Sequence, residues 1–479
     1  MKSIDRSYGF LWLSLALLPL SFIAALLPVT PHDYWWYLRL GSEIVGTATV
    51  PSIETYSFTQ AGQAVVNQPW LSAVILWLMY AGGGMTFTFI LRMAAIGFSY
   101  GLLWGLIRRV GAGPRLATIL TLLAGLAGSN NWSFRPQLMG YVFFAITFSI
   151  LWQWQKMNTR TLWALPLVSC LWVNMHASFL LMFILGGAAL LFGRGERKRL
   201  LLVLGISFLA SLLSPYGFLN WKVMLEYFDV ASAQGYSAEW GPAVNRGWQM
   251  NIFYLWIILL PLLTTYSPAR LSVLEWVWLI GLTWMSFSGM RYVVWGLFLL
   301  AAATGRLLAG WGDSWLNRSV SIKKPAMNVG LGVLLLILPL VAVPGFRDVF
   351  GLKSPAVISP DTPIAATTWL AEHPELPGPL WSDLTFSSYL IFALPSRPVW
   401  IDTRFEKAYP PALYDRFIQI SRAAPDWQGL LDEEGINLLM ISVKSEPWLL
   451  QAVEDSHQWC EQYRDATAVI FSRCSPLPE

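Results

Sequence analysis

Apolar runs about as long as a bilayer is thick recur between residues 9 and 344, near 9–29, 84–107, 115–130, 137–155, 200–214, 251–267, 271–287, 290–307 and 326–344. A helix rises 1.5 Å per residue, so about 20 apolar residues cross a hydrocarbon core of roughly 30 Å. The run 161–193 would measure about 50 Å as one helix, and the polar residues Asn174 and His176 fall near its middle. Two spans turning there are expected, which brings the count to about eleven. The composition agrees. Of 479 residues, 55% are hydrophobic and 13% charged, against roughly 25% charged in a soluble globular chain. An ordinary soluble enzyme is excluded, and 27 Trp, 26 Phe and 17 Tyr exclude a disordered chain.

The stretch Trp70 to Tyr80 is a different case. Eleven residues followed by Gly82, Gly83 and Gly84 cannot cross the core, and aromatic residues at both ends suit the headgroup level. An interfacial helix is expected there. Counting it as a span would invert every later loop.

Short cytoplasmic loops retain Lys and Arg. With the N-terminus inside, sixteen basic residues fall in inner segments and five, Arg39, Arg135, Lys222, Arg246 and Arg291, in outer loops up to residue 344. The expected orientation is N-terminus inside, with the segment after 344 outside, in a bacterial cytoplasmic membrane. The first apolar run is about 20 residues, longer than the roughly 7 to 15 of a signal-peptide core, so it is expected to stay as an anchor. The net charge of +4 gives no reason to expect a nucleic-acid partner.

From residue 345 the composition changes to 18 acidic and 10 basic residues. The expected domains are therefore a polytopic membrane domain over 1–344, with an outer loop and juxtamembrane helices at 30–83, and a small soluble α/β domain over 345–479. Within the latter, Thr362 to His373 reads as a helix, Pro398 to Asp402 and Ile436 to Val443 as buried strands, and Tyr414 to Glu434 as one or two helices. In Trp400-Ile401-Asp402-Thr403-Arg404 a strand is expected to end at a carboxylate followed by a guanidinium, either a ligand site at the strand end or, the favoured reading, an Asp/Arg pair that orders a loop. The tail is assigned binding or support. Cys170, Cys460 and Cys474 make no metal pattern, and whether Cys460 pairs with Cys474 stays open. No zinc or other cofactor is expected.

Under this topology, His32, Asp33, Glu54, Asn67, Arg135, His176, Glu239 and Arg291 all fall at the outer ends of spans or in outer loops. Ionisable groups near the membrane boundary are costly unless they pair or share a wet cavity, so a cavity at the outer leaflet is expected. Asp33, just past the first span, is placed to act as a general base, its pKa raised by aromatic neighbours; capping or a salt bridge to Arg39 is the bland alternative. Arg135 and Arg291 suit a lipid phosphate, because guanidinium stays charged and offers paired donors, although each also suits snorkelling to headgroups. Asn174 and His176 sit at a turn where an imidazole can donate to a phosphate or serve structure alone. Glu239 is a second outer carboxylate, with a loop salt bridge as its other reading.

The first outer loop carries a family resemblance. One span, then Asp33 in Pro31-His32-Asp33-Tyr34-Trp35-Trp36, then the stretch to Pro51-Ser52-Ile53-Glu54, and then Asn67-Gln68-Pro69-Trp70-Leu71 before the next span resemble the GT-C superfamily of integral-membrane glycosyltransferases. The bacterial mannosyltransferase and lipid A aminoarabinose transferase types are the most similar. Phe134-Arg135-Pro136-Gln137, Asn174-Met175-His176 and Ser214-Pro215-Tyr216-Gly217 mark a distinct subgroup. Many members carry paired acids where this chain has His32-Asp33, which weakens a divalent-metal assignment. The resemblance implies inverting transfer of a sugar from a polyprenyl-phosphate donor to a glycan, lipid or protein acceptor among the membrane lipids. Asp33 would be the base, with His32 and Glu54 beside it, and Arg135, His176, Asn174, Glu239 and Arg291 would bind substrate. Two other readings remain: a transporter or flippase whose path includes the in-span Arg92, and an inactive scaffold whose tail binds a partner.

Overall fold

The computed structural model describes residues 6–226, 240–312, 317, 324–351, 356–404 and 408–474. In chain order the helices are α1 (Arg6–Leu26), α2 (Tyr34–Thr47), α3 (Trp70–Arg109), α4 (Pro114–Gly128), α5 (Gln137–Gln155), α6 (Leu165–Met175), α7 (Leu180–Phe192), α8 (Arg197–Ser211), α9 (Leu219–Glu226), α10 (Gly247–Tyr266), α11 (Val273–Ser288), α12 (Val293–Ala309), α13 (Pro325–Ile337), α14 (Phe346–Val349), α15 (Ile364–Glu372) and α16 (Leu384–Ala393). The helices Pro411–Ser421, Trp427–Glu433 and Pro447–Ser456 follow, and the strands are β1 (Leu380–Ser382), β2 (Leu438–Ser442), β3 (Trp459–Arg464) and β4 (Ala468–Arg473).

The chain forms two compact units, Met1–Leu27 with Gly82–Ser354, and Pro28–Ala81 with Pro355–Glu479. Residues 28–81, which hydropathy groups with the membrane part, thus pack with the tail. Their backbone makes the difference. Val29 N–H donates to the Val357 carbonyl at 2.8 Å and the Val29 carbonyl accepts from Ser359 at 2.7 Å. Further on, Tyr56 and Phe58 exchange hydrogen bonds with Val399.

Among the described residues, five helical segments are long and apolar enough to cross a membrane: Arg6–Leu26, Trp70–Arg109, Gly247–Tyr266, Met290–Ala309 and Pro325–Ala342. The 161–193 run is two helices, α6 and α7, joined through His176 and a short turn at Ala177–Phe179. The glycine triplet breaks α3, since Gly84 adopts φ +57, ψ −144, a conformation open essentially to glycine alone. Arg92, fully buried, donates from Nε to the Ala24 carbonyl at 2.7 Å and from Nη2 to Leu27 at 2.5 Å. Its guanidinium also lies over the Phe89 and Phe134 rings, 4.5 and 3.9 Å from their centroids. The cation therefore satisfies the last carbonyls of α1, as a helix C-terminus favours.

Several basic residues of the first unit are engaged locally: Arg199 with Thr159, Arg306 with Glu275 at 2.8 Å, and Arg108 with the Ala112 carbonyl.

The second unit is α/β. Its sheet runs β1-β2-β4-β3, with β1 and β2 parallel and the remaining pairs antiparallel. Every residue of β2 and β4 is buried, which explains why β2 reads as a continuous apolar run. The expected helices at 362–373 and 414–434 appear as α15, Pro411–Ser421 and Trp427–Glu433. Residues 398–402 are not a strand. Val399 makes isolated parallel bridges to Ser57 and Leu380, so one of its partners comes from the segment after α1. Cys460 and Cys474 form a disulfide across β3 and β4, Cα to Cα 5.0 Å.

Candidate functional site

The expected site residues fall into two groups, one in each unit. In the first unit they gather around the start of α5. Arg135 immediately precedes that helix, and Gln137 at its first turn donates from Nε2 to the Arg291 carbonyl at 3.0 Å. The Arg291 guanidinium lies 4.1 Å from the Trp240 ring centroid, and Met290 N–H donates to the Gly241 carbonyl at 3.0 Å. One turn into α5, a Cβ added at Gly140 would meet Ser178 Oγ at 2.7 Å and His176 Nδ1 at 3.2 Å. Only glycine admits the His176 turn this closely. Arg135, His176 and Arg291 are thus brought to one helix terminus from segments far apart in sequence.

The histidine has a defined tautomer. Ser178 N–H donates to His176 Nδ1 at 3.0 Å, and Ser178 Oγ lies 2.7 Å from the same nitrogen while accepting from Trp172 Nε1 at 3.1 Å. With Nδ1 an acceptor, the neutral ring carries its proton on Nε2. Asn174 is a tie between helices: its Nδ2 donates to the Cys170 and Leu213 carbonyls at 2.8 and 2.9 Å. Glu239 lies outside the described residues.

In the second unit, Asp33 and His32 are both half-buried just before α2. Asp33 occupies the N-cap position but makes no side-chain capping bond. Nor is Arg39 the partner first suggested for it, since Arg39 pairs with Glu43 at 2.8 Å, and Glu43 also accepts from the Tyr56 hydroxyl at 2.6 Å. Glu54 is placed differently from a reacting carboxylate. It is buried, with Oε2 on Arg404 Nη1 at 2.7 Å and Oε1 on Arg404 Nη2 at 2.9 Å, and Oε1 also accepts the Tyr56 and Ser57 N–H groups. Arg404 further binds Asp402, whose Oδ2 accepts from the Tyr409 hydroxyl at 2.6 Å. Burial acts to lower the Arg404 pKa, but Asp402, Tyr409 and Glu54 hold it well above the ordinary value. This network ties Glu54 to Arg404 and leaves both its carboxylate oxygens engaged.

The carboxyl ends of β1 and β2 hold two acids that sequence reading passed over. Asp383, next after β1, accepts the Thr385 and Phe386 N–H groups at the start of α16. Glu446, four residues beyond β2, accepts from Ser421 Oγ at 2.9 Å and Ser442 N–H at 3.2 Å. Burial raises the Asp383 pKa, opposed by those hydrogen bonds and by nearby His32. Burial and the Asp383 charge push Glu446 well above the usual carboxylate range. Asp383 had a legible signal, an N-cap residue before an apolar helix. Its proximity to His32 had none. Among the described residues, no three His, Cys, Asp or Glu side chains gather as metal ligands.

The sequence matches no family model and no curated protein. Its fold matches solved structures. The oligosaccharyltransferase of Archaeoglobus fulgidus in its apo form is 10% identical over 97% of this chain and 75% of that one, with TM-score 0.52. The arabinofuranosyltransferase AftD from Mycobacteria is 13% identical over 97% of this chain, with TM-score 0.54; the match spans only 40% of that longer protein. ArnT from Cupriavidus metallidurans in the apo state is 13% identical over 96% of this chain and 97% of that one, with TM-score 0.50. At such identities the likeness is one of fold alone.

Proposed function

We propose that this chain, which has the GT-C fold, transfers a sugar with inversion from a polyprenyl-phosphate donor to a hydroxyl on a glycan, lipid or protein acceptor. The reaction takes place at the outer face of a bacterial cytoplasmic membrane, which the first unit crosses about eleven times. The observation that carries the reading is the gathering of Arg135, Arg291 and His176 at the N-terminus of α5. Two arginines carried by segments that meet at a helix N-terminus suit the dianion that leaves when the sugar departs. His176 Nε2–H adds a neutral donor to the same oxygens.

In this reading Asp33 takes the proton of the acceptor hydroxyl as that oxygen displaces the lipid phosphate. An apolar groove of about 210 Å³ lined by Ile257, Leu260, Trp276, Ile280 and Phe287 runs along α11 toward the Arg291 turn and suits an isoprenoid chain. The Cys460–Cys474 disulfide supports an oxidising compartment for the second unit.

The test uses purified full-length protein in proteoliposomes given polyprenyl-phosphate hexoses and pentoses, with membrane extract as acceptor source. Release of free polyprenyl phosphate that requires the extract supports transfer. Transbilayer movement of fluorescent polyprenyl phosphate, with none of the sugars consumed, would establish the flippase reading instead.

A further inference from the structure

The second unit holds the backbone around Asp33 at regular intervals. Val29 is paired on both sides with residues 357 and 359. Three residues later, the fully buried Ser388 of α16 donates its hydroxyl to the His32 carbonyl at 2.6 Å. Asp383, at the head of the same helix, is close enough for its charge to act on His32. Three residues further, Trp35 is buried edge-on against Tyr389, with centroids 4.9 Å apart, and against Phe392 at 5.5 Å. Asp33 lies between the last two anchors.

From this arrangement we infer that Ser388 and Asp383 are positioning residues, and that α16 of the tail serves as the platform fixing the His32–Asp33 backbone for proton abstraction. A general base held within about half an ångström of its working place keeps its rate, and one left to wander loses it. Neither residue reaches substrate in this account. Ser388 acts through the main chain of His32, and Asp383 through the first turn of α16, which it caps. This inference rests on the reading of Asp33 as base, and it gives the tail a task that its own surface does not announce.

Two measurements on the full-length protein in nanodiscs test it. Hydrogen–deuterium exchange of residues 30–38 needs no substrate. In Ser388→Ala and Asp383→Ala, exchange there should rise about tenfold, the worth of one lost hydrogen bond, while β2 and β4 keep their protection. Turnover of a polyprenyl-phosphate hexose should lose kcat by a similar factor with KM within about twofold, and Ser388→Thr, which keeps the hydroxyl, should recover most of it. Unchanged exchange at 30–38, or a rise spread evenly over the whole unit, would overturn the inference. If Asp33→Asn retains full turnover while exchange responds as described, the base assignment falls and the anchoring stands.

Discussion

Arg404 places both terminal nitrogens on both carboxylate oxygens of Glu54, a residue 350 positions earlier in the chain, and neither partner is more than 4% exposed. The pair joins the segment after α1 to the tail at a buried point. Asp402 and Tyr409 complete the set, and the rings of Tyr56 and Trp36 lie 4.8 and 5.7 Å from the guanidinium carbon.

Replacing Arg404 by Met leaves two buried carboxylates without their cation. Breaking a buried ion pair from one side costs about 3 to 5 kcal/mol, so Arg404→Met should lower the melting temperature of the detergent-solubilised protein markedly. Adding Glu54→Gln should recover part of the loss, because the two changes share one interaction. A double mutant whose loss equals the sum of the singles would contradict the coupling.

Glu446 gives stability a definite pH dependence. Its folded pKa stands well above the ordinary 4.5, so between those values the folded state binds the proton and the unfolded state does not. Its stabilising contribution is complete below pH 4.5 and is lost as pH rises through the folded value, at up to about 1.4 kcal/mol per pH unit. Glu446→Gln cannot titrate. Melting temperatures recorded from pH 4 to 9 should therefore fall more steeply for the wild type than for this variant, and parallel curves would refute the assignment.

The disulfide reports on compartment. In intact cells, a bulky maleimide should modify Cys460 and Cys474 only after reduction, whereas Cys170 is a free thiol. Cysteine-to-serine replacement at both positions should cost about 3 kcal/mol, the loop-entropy value for a closure of this length, read from denaturant unfolding of the second unit. Thiols freely reactive without reductant would place that unit in a reducing compartment.

Much of this architecture is written in the local sequence. The apolar runs mark the helices of the first unit, the Gly82–Gly84 triplet marks the break in α3, and Asn174 with His176 marks the turn between α6 and α7. Each depends on neighbours within a few residues. What stayed hidden depends on contacts across the chain. Nothing near Glu54 announces Arg404, and nothing near His32 announces Ser388 or Asp383. Val399 looked like part of a strand because it is apolar and β-branched, but its bridges are single. The short strand β1 escaped notice because three residues carry no periodicity.

Arg135 and Arg291 should differ from Asp33 in how their loss is read. Lysine at either position keeps the charge and loses the planar fork, so Arg135→Lys and Arg291→Lys should raise KM for the lipid-linked donor about tenfold, a typical worth for one charge-assisted hydrogen bond. The corresponding glutamines should lower kcat as well, because they also remove charge from the leaving phosphate. Donor titrations in nanodiscs give both parameters, and unchanged KM in the two lysine variants would remove the arginines from the donor site.

The most direct test of the whole account is the turnover of Asp33→Asn. The substitution preserves size and removes the base, so the variant should melt within a few degrees of the wild type and bind polyprenyl-phosphate hexose as well. Release of polyprenyl phosphate should nevertheless fall by about two to four orders of magnitude, the usual worth of general base catalysis. Turnover equal to the wild type, measured on protein shown to be folded, would contradict it.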